Sequence, residues 1–116
     1  MAYQLDTDNV KDTAAQIAEM LNSKQLTVII DGQSHNDCLS KGMYDSEVEY
    51  YKTSRGKGRH KSTVVTLVLH TQTDTYTFSA GRGAVNVEID RGSVIITQHD
   101  ILGNPRRHEF KLVRTG

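Results

Sequence analysis

Tryptophan is absent from this chain of 116 residues, and there are only one proline, one cysteine and two phenylalanines. With Cys38 as the single thiol, no disulfide can close within the chain, which excludes the cross-linked scaffolds of small secreted domains and points to a reducing compartment. No segment approaches the roughly 20 apolar residues of a membrane-spanning helix. The first ten residues carry Asp6 and Asp8 and lack the apolar stretch of a secretory signal. A cytoplasmic location without a membrane partner is the expectation. Internal repeats and low-complexity linkers are also missing, so one domain over residues 1–116 is expected.

What is present is ordinary for a globular chain: 36% hydrophobic and 24% charged residues, enough for one core and too apolar for disorder. The formal net charge is zero, but the sum hides a division. Residues 1–50 hold nine carboxylates against three lysines, or −6, and residues 51–116 hold eleven Lys or Arg against five carboxylates, or +6. Such asymmetry can attract an anionic partner to one end of the molecule, or a second copy head to tail, unless folding interleaves the halves.

Hydrophobic spacing supplies the elements. Val10, Ala14, Ile17, Ala18 and Leu21 recur at helical intervals, predicting one amphipathic helix from about Asp8 to Leu21, with Thr7 or Asp8 placed to cap its first turn. Leu26 to Asp31 is rich in β-branched residues and predicts a strand, while the polar stretch from Gly32 to Gly42 reads as a loop. Beyond it the period becomes two. Strands are expected at Glu47–Lys52, Thr63–Thr71, Asp74–Ala80, Ala84–Asp90, Val94–His99 and Arg107–Val113, with a tight reversal at Asp90-Arg91-Gly92-Ser93. Thr63–Thr71 has valine or leucine on both faces and should be central. The fold class is therefore α+β: one N-terminal helix packed on a curved antiparallel sheet of about six to seven strands, with a small, partly closed barrel as the alternative.

Three groups of residues carry candidate chemistry. The segment Ser54–Ser62 holds Arg55, Lys57, Arg59, His60 and Lys61 with two glycines and no acid, a composition that suits a hairpin tip reaching for phosphate oxygens. Arg82 between two glycines, and Arg106 with Arg107, can extend such a patch. The competing reading is a solvated turn that guards neighbouring strand edges. No aromatic pair of an RNA-reading sheet is evident beside it, although Tyr50 and Tyr51 precede the loop, and Gly56-Lys57-Gly58 lacks the spacing of a phosphate-binding loop.

The second group is Asp31, His35, Asp37 and Cys38, close in sequence but with one thiol and no second ligand pair, so ordinary loop chemistry is favoured over metal binding or a cysteine nucleophile. The third is His70, His99, His108 and Glu109, whose types suit acid–base cleavage of RNA without a metal. His108 shares a strand face with Phe110 and Leu112, which favours a core role for it. His70 and His99 remain the catalytic alternative, if they meet on adjacent strands.

The leading expectation is a non-enzymatic domain, without cofactor or metal, that engages an anionic partner through the basic loop. That partner is RNA, DNA or an acidic protein surface. A ribonuclease using His70 and His99, and an assembly protein pairing its acidic and basic halves into a homo-oligomer or with another protein, are the alternatives.

Overall fold

The computed structural model describes residues 2–22, 24–81, 83–99 and 107–115; of His60, His99, Arg107 and His108 it describes the backbone alone. Among the described residues there are one α-helix, α1 (Val10–Leu21), and nine strands. These are β1 (Ala2–Gln4), β2 (Leu26–Ile30), β3 (Gln33–Asp37), β4 (Val48–Arg55), β5 (Ser62–His70), β6 (Thr75–Ser79), β7 (Val85–Asp90), β8 (Ser93–His99) and β9 (Arg107–Arg114). The α+β class is as expected. The strands form two antiparallel sheets instead of one: six strands in the order β1-β7-β8-β9-β2-β3 and three in the order β4-β5-β6. Neither closes into a barrel, and no helix of the described residues is long and apolar enough to cross a membrane.

Two strands depart from the sequence reading. Ala2–Gln4 pairs with Asn86–Glu88 and precedes the helix, so the helix is not the first element of the fold. The polar segment after Gly32, expected as a loop, is β3, paired along its whole length with β2 from Ile30↔Gln33 to Leu26↔Asp37. The cause is the turn. Asp31 (φ +47°) and Gly32 (φ +89°) both occupy the left-handed region, the signature of a two-residue hairpin that returns the chain directly onto its predecessor. As an edge strand, β3 can be polar, because only Asp37 of its residues is buried.

A side chain at position 32 would meet nothing within 4 Å, so its penalty would be that of the backbone alone. Gly32→Ala should therefore cost ~1–2 kcal/mol, read as a lower urea midpoint at unchanged slope.

The helix buries Val10, Thr13, Ala14, Ile17 and Leu21 and packs against β4 and β5. Its entry differs from expectation: neither Thr7 nor Asp8 caps it. The N-cap is Asn9, and the turn before it is closed by exchange, with the Asp6 carboxylate accepting from the Asp8 and Asn9 amides while Asn9 Oδ1 accepts from the Asp6 amide. Such side-chain closure is the usual work of Asp and Asn in turns. The Tyr3 and Thr13 hydroxyls, 2.6 Å apart, tie β1 to the helix.

The sheets meet through aromatic rings. Phe110 on β9 lies 5.2 Å from Phe78 and 4.6 Å from Tyr76, both on β6, in edge and tilted contacts of the kind that aromatic quadrupoles favour. Leu67, Leu69, Val87, Ile96 and Leu112 complete a shared core with the helix stripe. As expected, β5 is the central strand of its sheet, and Asp90–Ser93 closes the β7–β8 hairpin.

Candidate functional site

The β4–β5 hairpin leaves the body of the protein. Its register runs from Val48↔Leu69 to Arg55↔Ser62, but core burial stops at Val65, opposite Lys52. Three further residue pairs, Thr53↔Val64, Ser54↔Thr63 and Arg55↔Ser62, extend the ribbon by about 10 Å at ordinary strand rise, before a six-residue tip that includes a short 3₁₀ turn at Gly58–His60. Every residue from Tyr50 to Arg59 is exposed, on both faces of the ribbon, as are Lys61 to Thr63 on the return. The reason is local: from Lys52 to Ser62 the sequence offers no apolar side chain to bury.

On this arm stand Lys52, Arg55, Lys57, Arg59 and Lys61, with no Asp or Glu between Tyr50 and Thr73. Among the described residues the ion pairs are His35–Asp37 and His70–Glu49, and neither involves an arm cation. Asp45 and Glu47 of the acidic first half sit at the opposite end of the same sheet, beside the start of β4, with Asp74 of the second half in the adjoining β5–β6 turn.

Of the other basic candidates the structure describes Arg107 alone, and of it the backbone. Gly81 lies under Arg55; an added Cβ there would fall 3.1 Å from Arg55 Nη1 and 3.0 Å from Val64 Cγ1, so the guanidinium rests close over the glycine and a larger residue would displace its neighbours by a few tenths of an ångström. Arg82, the next residue, lies outside the described residues, as does Arg106. Gln98 Nε2 donates to the Ser79 carbonyl at 2.7 Å, which brings the His99↔Arg107 end of the β8–β9 pair to the same end of β6.

The remaining candidates separate. His70 and His99 do not share adjacent strands, because β5 and β8 belong to different sheets. The His70 ring is 3% exposed, and both its nitrogens have partners: Nε2 lies 2.9 Å from Glu49 Oε2 and Nδ1 3.2 Å from Thr75 Oγ1. Tyr44 stacks flat on it, with centroids 3.8 Å apart. The hydrogen bond from His70 holds the Glu49 carboxyl below its ordinary range despite the opposing push of desolvation, and Glu49 in turn raises the Tyr51 phenol, which donates to it at 3.0 Å. Glu49, Tyr44 and Tyr51 were not legible as a group. Alternation places Glu49 and Tyr51 on one face of β4, but the pairing that adds His70, and the chain path that adds Tyr44, are tertiary.

Asp31, His35, Asp37 and Cys38 do not converge as a ligand set. Asp31 Oδ1 accepts from the Glu109 amide at 3.0 Å, which ties the β2–β3 turn to β9. Asp37 is turned inward, where its carboxylate accepts from the Cys38 and Gln72 amides at 2.8 and 3.1 Å and from the Thr73 hydroxyl, with His35 Nε2 at 3.4 Å. It fastens the edge of the large sheet to the β5–β6 turn of the small one. Compared with protein-family models, curated proteins and solved structures, the chain finds no match.

Proposed function

We propose that this chain is a non-enzymatic binding module that engages a polyanion, RNA or DNA in preference to an acidic protein surface, through its cationic arm. The observation that supports the reading is the arm itself: five Lys or Arg side chains with no ion pair among the described residues, on a ribbon exposed on both faces and free of carboxylates. A two-stranded ribbon of this kind can follow a groove or a backbone, and each contact displaces a condensed counterion from the nucleic acid. An acidic protein surface offers no comparable counterion release. Catalysis through His70 is disfavoured by its geometry, since a general base needs a free nitrogen and a path to substrate, and Thr75, Glu49 and Tyr44 occupy both.

The test is a salt titration of affinity for a fluorescein-labelled oligonucleotide, read by anisotropy. Five phosphate contacts predict a slope of log K against log salt of about −3.5 to −4.5. Oligonucleotides that show no binding at low ionic strength, or a slope near zero, overturn the proposal. Capture of polyglutamate in their absence would move the partner to an acidic protein.

A further inference from the structure

The outer face of the β4-β5-β6 sheet has a different character from the arm that extends it. Val48, Val65, Leu67, Leu69 and Phe78 point to the core, so register places Glu49, Tyr51, Thr53 and Arg55 with Val64, Thr66, Val68 and His70 on the opposite side. Thr75 and Thr77 of β6 continue that side and are exposed. Within it two aromatic rings stand open: Tyr51 is 50% exposed and Tyr44 45%.

Neither ring hangs loose. Tyr44 lies flat on the His70 imidazole, which covers one of its faces and leaves the other to solvent, and Tyr51 is held by its hydroxyl to Glu49, the partner of that same imidazole. The pair formed by buried His70 and half-buried Glu49 therefore anchors both tyrosines. Rings fixed before a ligand arrives lose little conformational entropy on binding, which is the condition for an efficient stacking surface. Arg55 stands four residues beyond Tyr51 on the same face, about 13 Å away at strand rise, and leads into the cationic tip.

Resting on the polyanion-binding reading above, we propose that the partner is a single-stranded nucleic acid, with bases stacked on Tyr51 and Tyr44 and its backbone drawn along Arg55, Lys57, Arg59 and Lys61. Charge decides the orientation. Glu49 repels phosphates from the tyrosine end, while the arm attracts them, so the bases face the rings and the backbone runs toward the tip. A duplex hides the faces of its bases and can use the arm alone; unpaired bases can use both surfaces.

The test compares a labelled twelve-nucleotide oligouridylate, an oligothymidylate of the same length and a twelve-base-pair duplex in the anisotropy assay, with wild type, Tyr51→Ala and Tyr51→Phe. Tighter binding of the single strands than of the duplex is expected. Tyr51→Ala should weaken the single strands by about five- to a hundred-fold, the span of one base stack, while changing duplex affinity less than two-fold. Tyr51→Phe keeps the ring and should restore most of the loss. The two strands separate RNA from DNA as the source of the shared chemistry. If duplex and single strands bind equally and Tyr51→Ala changes neither, the stacking surface is refuted and the cationic arm stands. If none of the three binds, the polyanion reading itself falls.

Discussion

Replacing Asp37 by alanine is expected to destabilise the fold by about 3 kcal/mol, more than any other single change to a polar residue considered for this protein. The carboxylate is the acceptor for two backbone amides, those of Cys38 and Gln72, and for the Thr73 hydroxyl, and the residue is only 5% exposed. Alanine leaves the Cys38 amide and the Thr73 hydroxyl without that acceptor and the Gln72 amide with the Cys38 carbonyl alone, and an orphaned donor costs more than a hydrogen bond contributes. It also loosens the join between sheets, since the same neighbourhood holds the Leu39↔Thr71 bridge and the bonds from the Ser40 amide to the His70 carbonyl and from the Gln72 amide to the Cys38 carbonyl. Urea unfolding near neutral pH measures the loss. A change below about 0.5 kcal/mol, the scatter of ordinary surface substitutions, would show that the carboxylate does not fasten the two sheets.

The pH dependence follows with a definite sign. Burial pushes the Asp37 carboxyl up, but the hydrogen bonds of Thr73, Cys38, Thr71 and His35 together outweigh it and bring the net value below the ordinary 3.8. A carboxyl whose folded value is depressed contributes stability that is complete above the unfolded value and disappears as pH falls through the folded one. Acid should therefore erode the wild type from about pH 4 downward, with Glu49 adding to the same limb because it is depressed as well. Asp37→Asn, which keeps an acceptor oxygen for the amides, should cost less than alanine and show a shallower acid limb.

Much of this fold is legible in the sequence, and what is not has physical causes. The helix stripe, the period-two segments and the Asp90–Ser93 reversal depend on local spacing, and the structure shows them within a few residues of where that spacing puts them. The β3 strand was hidden by its polarity, although Asp31-Gly32 carries the signal that would have found it: one of the dipeptides that favour paired left-handed dihedrals, directly after a β-branched run. The partition into two sheets was not legible, because alternation tells which residues share a face and says nothing about which strands become neighbours. The candidate site divides in the same way. The exposure of Arg55, Lys57, Arg59 and Lys61 follows from a segment without apolar residues, whereas the gathering of Tyr44, Tyr51, Glu49 and His70 depends on long-range pairing and on a connection whose path no local rule predicts.

Changing Arg55, Lys57, Arg59, His60 and Lys61 together to Gln should weaken oligonucleotide binding at low ionic strength by at least about a hundred-fold and leave the unfolding midpoint within the scatter of repeat measurements. The two halves of this expectation have separate grounds. Stability should be spared because the described side chains among these residues are exposed, make no ion pair with a described carboxylate and contribute nothing to the core; Arg55, which lies over Gly81, is the one with a neighbour to lose. Affinity should fall because these charges supply most of the counterion release, leaving Lys52 as the remaining arm cation. Single changes distinguish a specific contact surface from diffuse attraction: each lost phosphate contact lowers the salt slope by about 0.7 to 0.9, so Lys57→Gln, Arg59→Gln and Lys61→Gln should each give one such step. Lys57→Arg and Lys61→Arg keep the charge and should keep the slope. A quintuple variant that binds with wild-type affinity and salt dependence would mean that the arm is the solvated, aggregation-blocking turn of the competing reading, and that any nucleic acid held by this protein is held elsewhere.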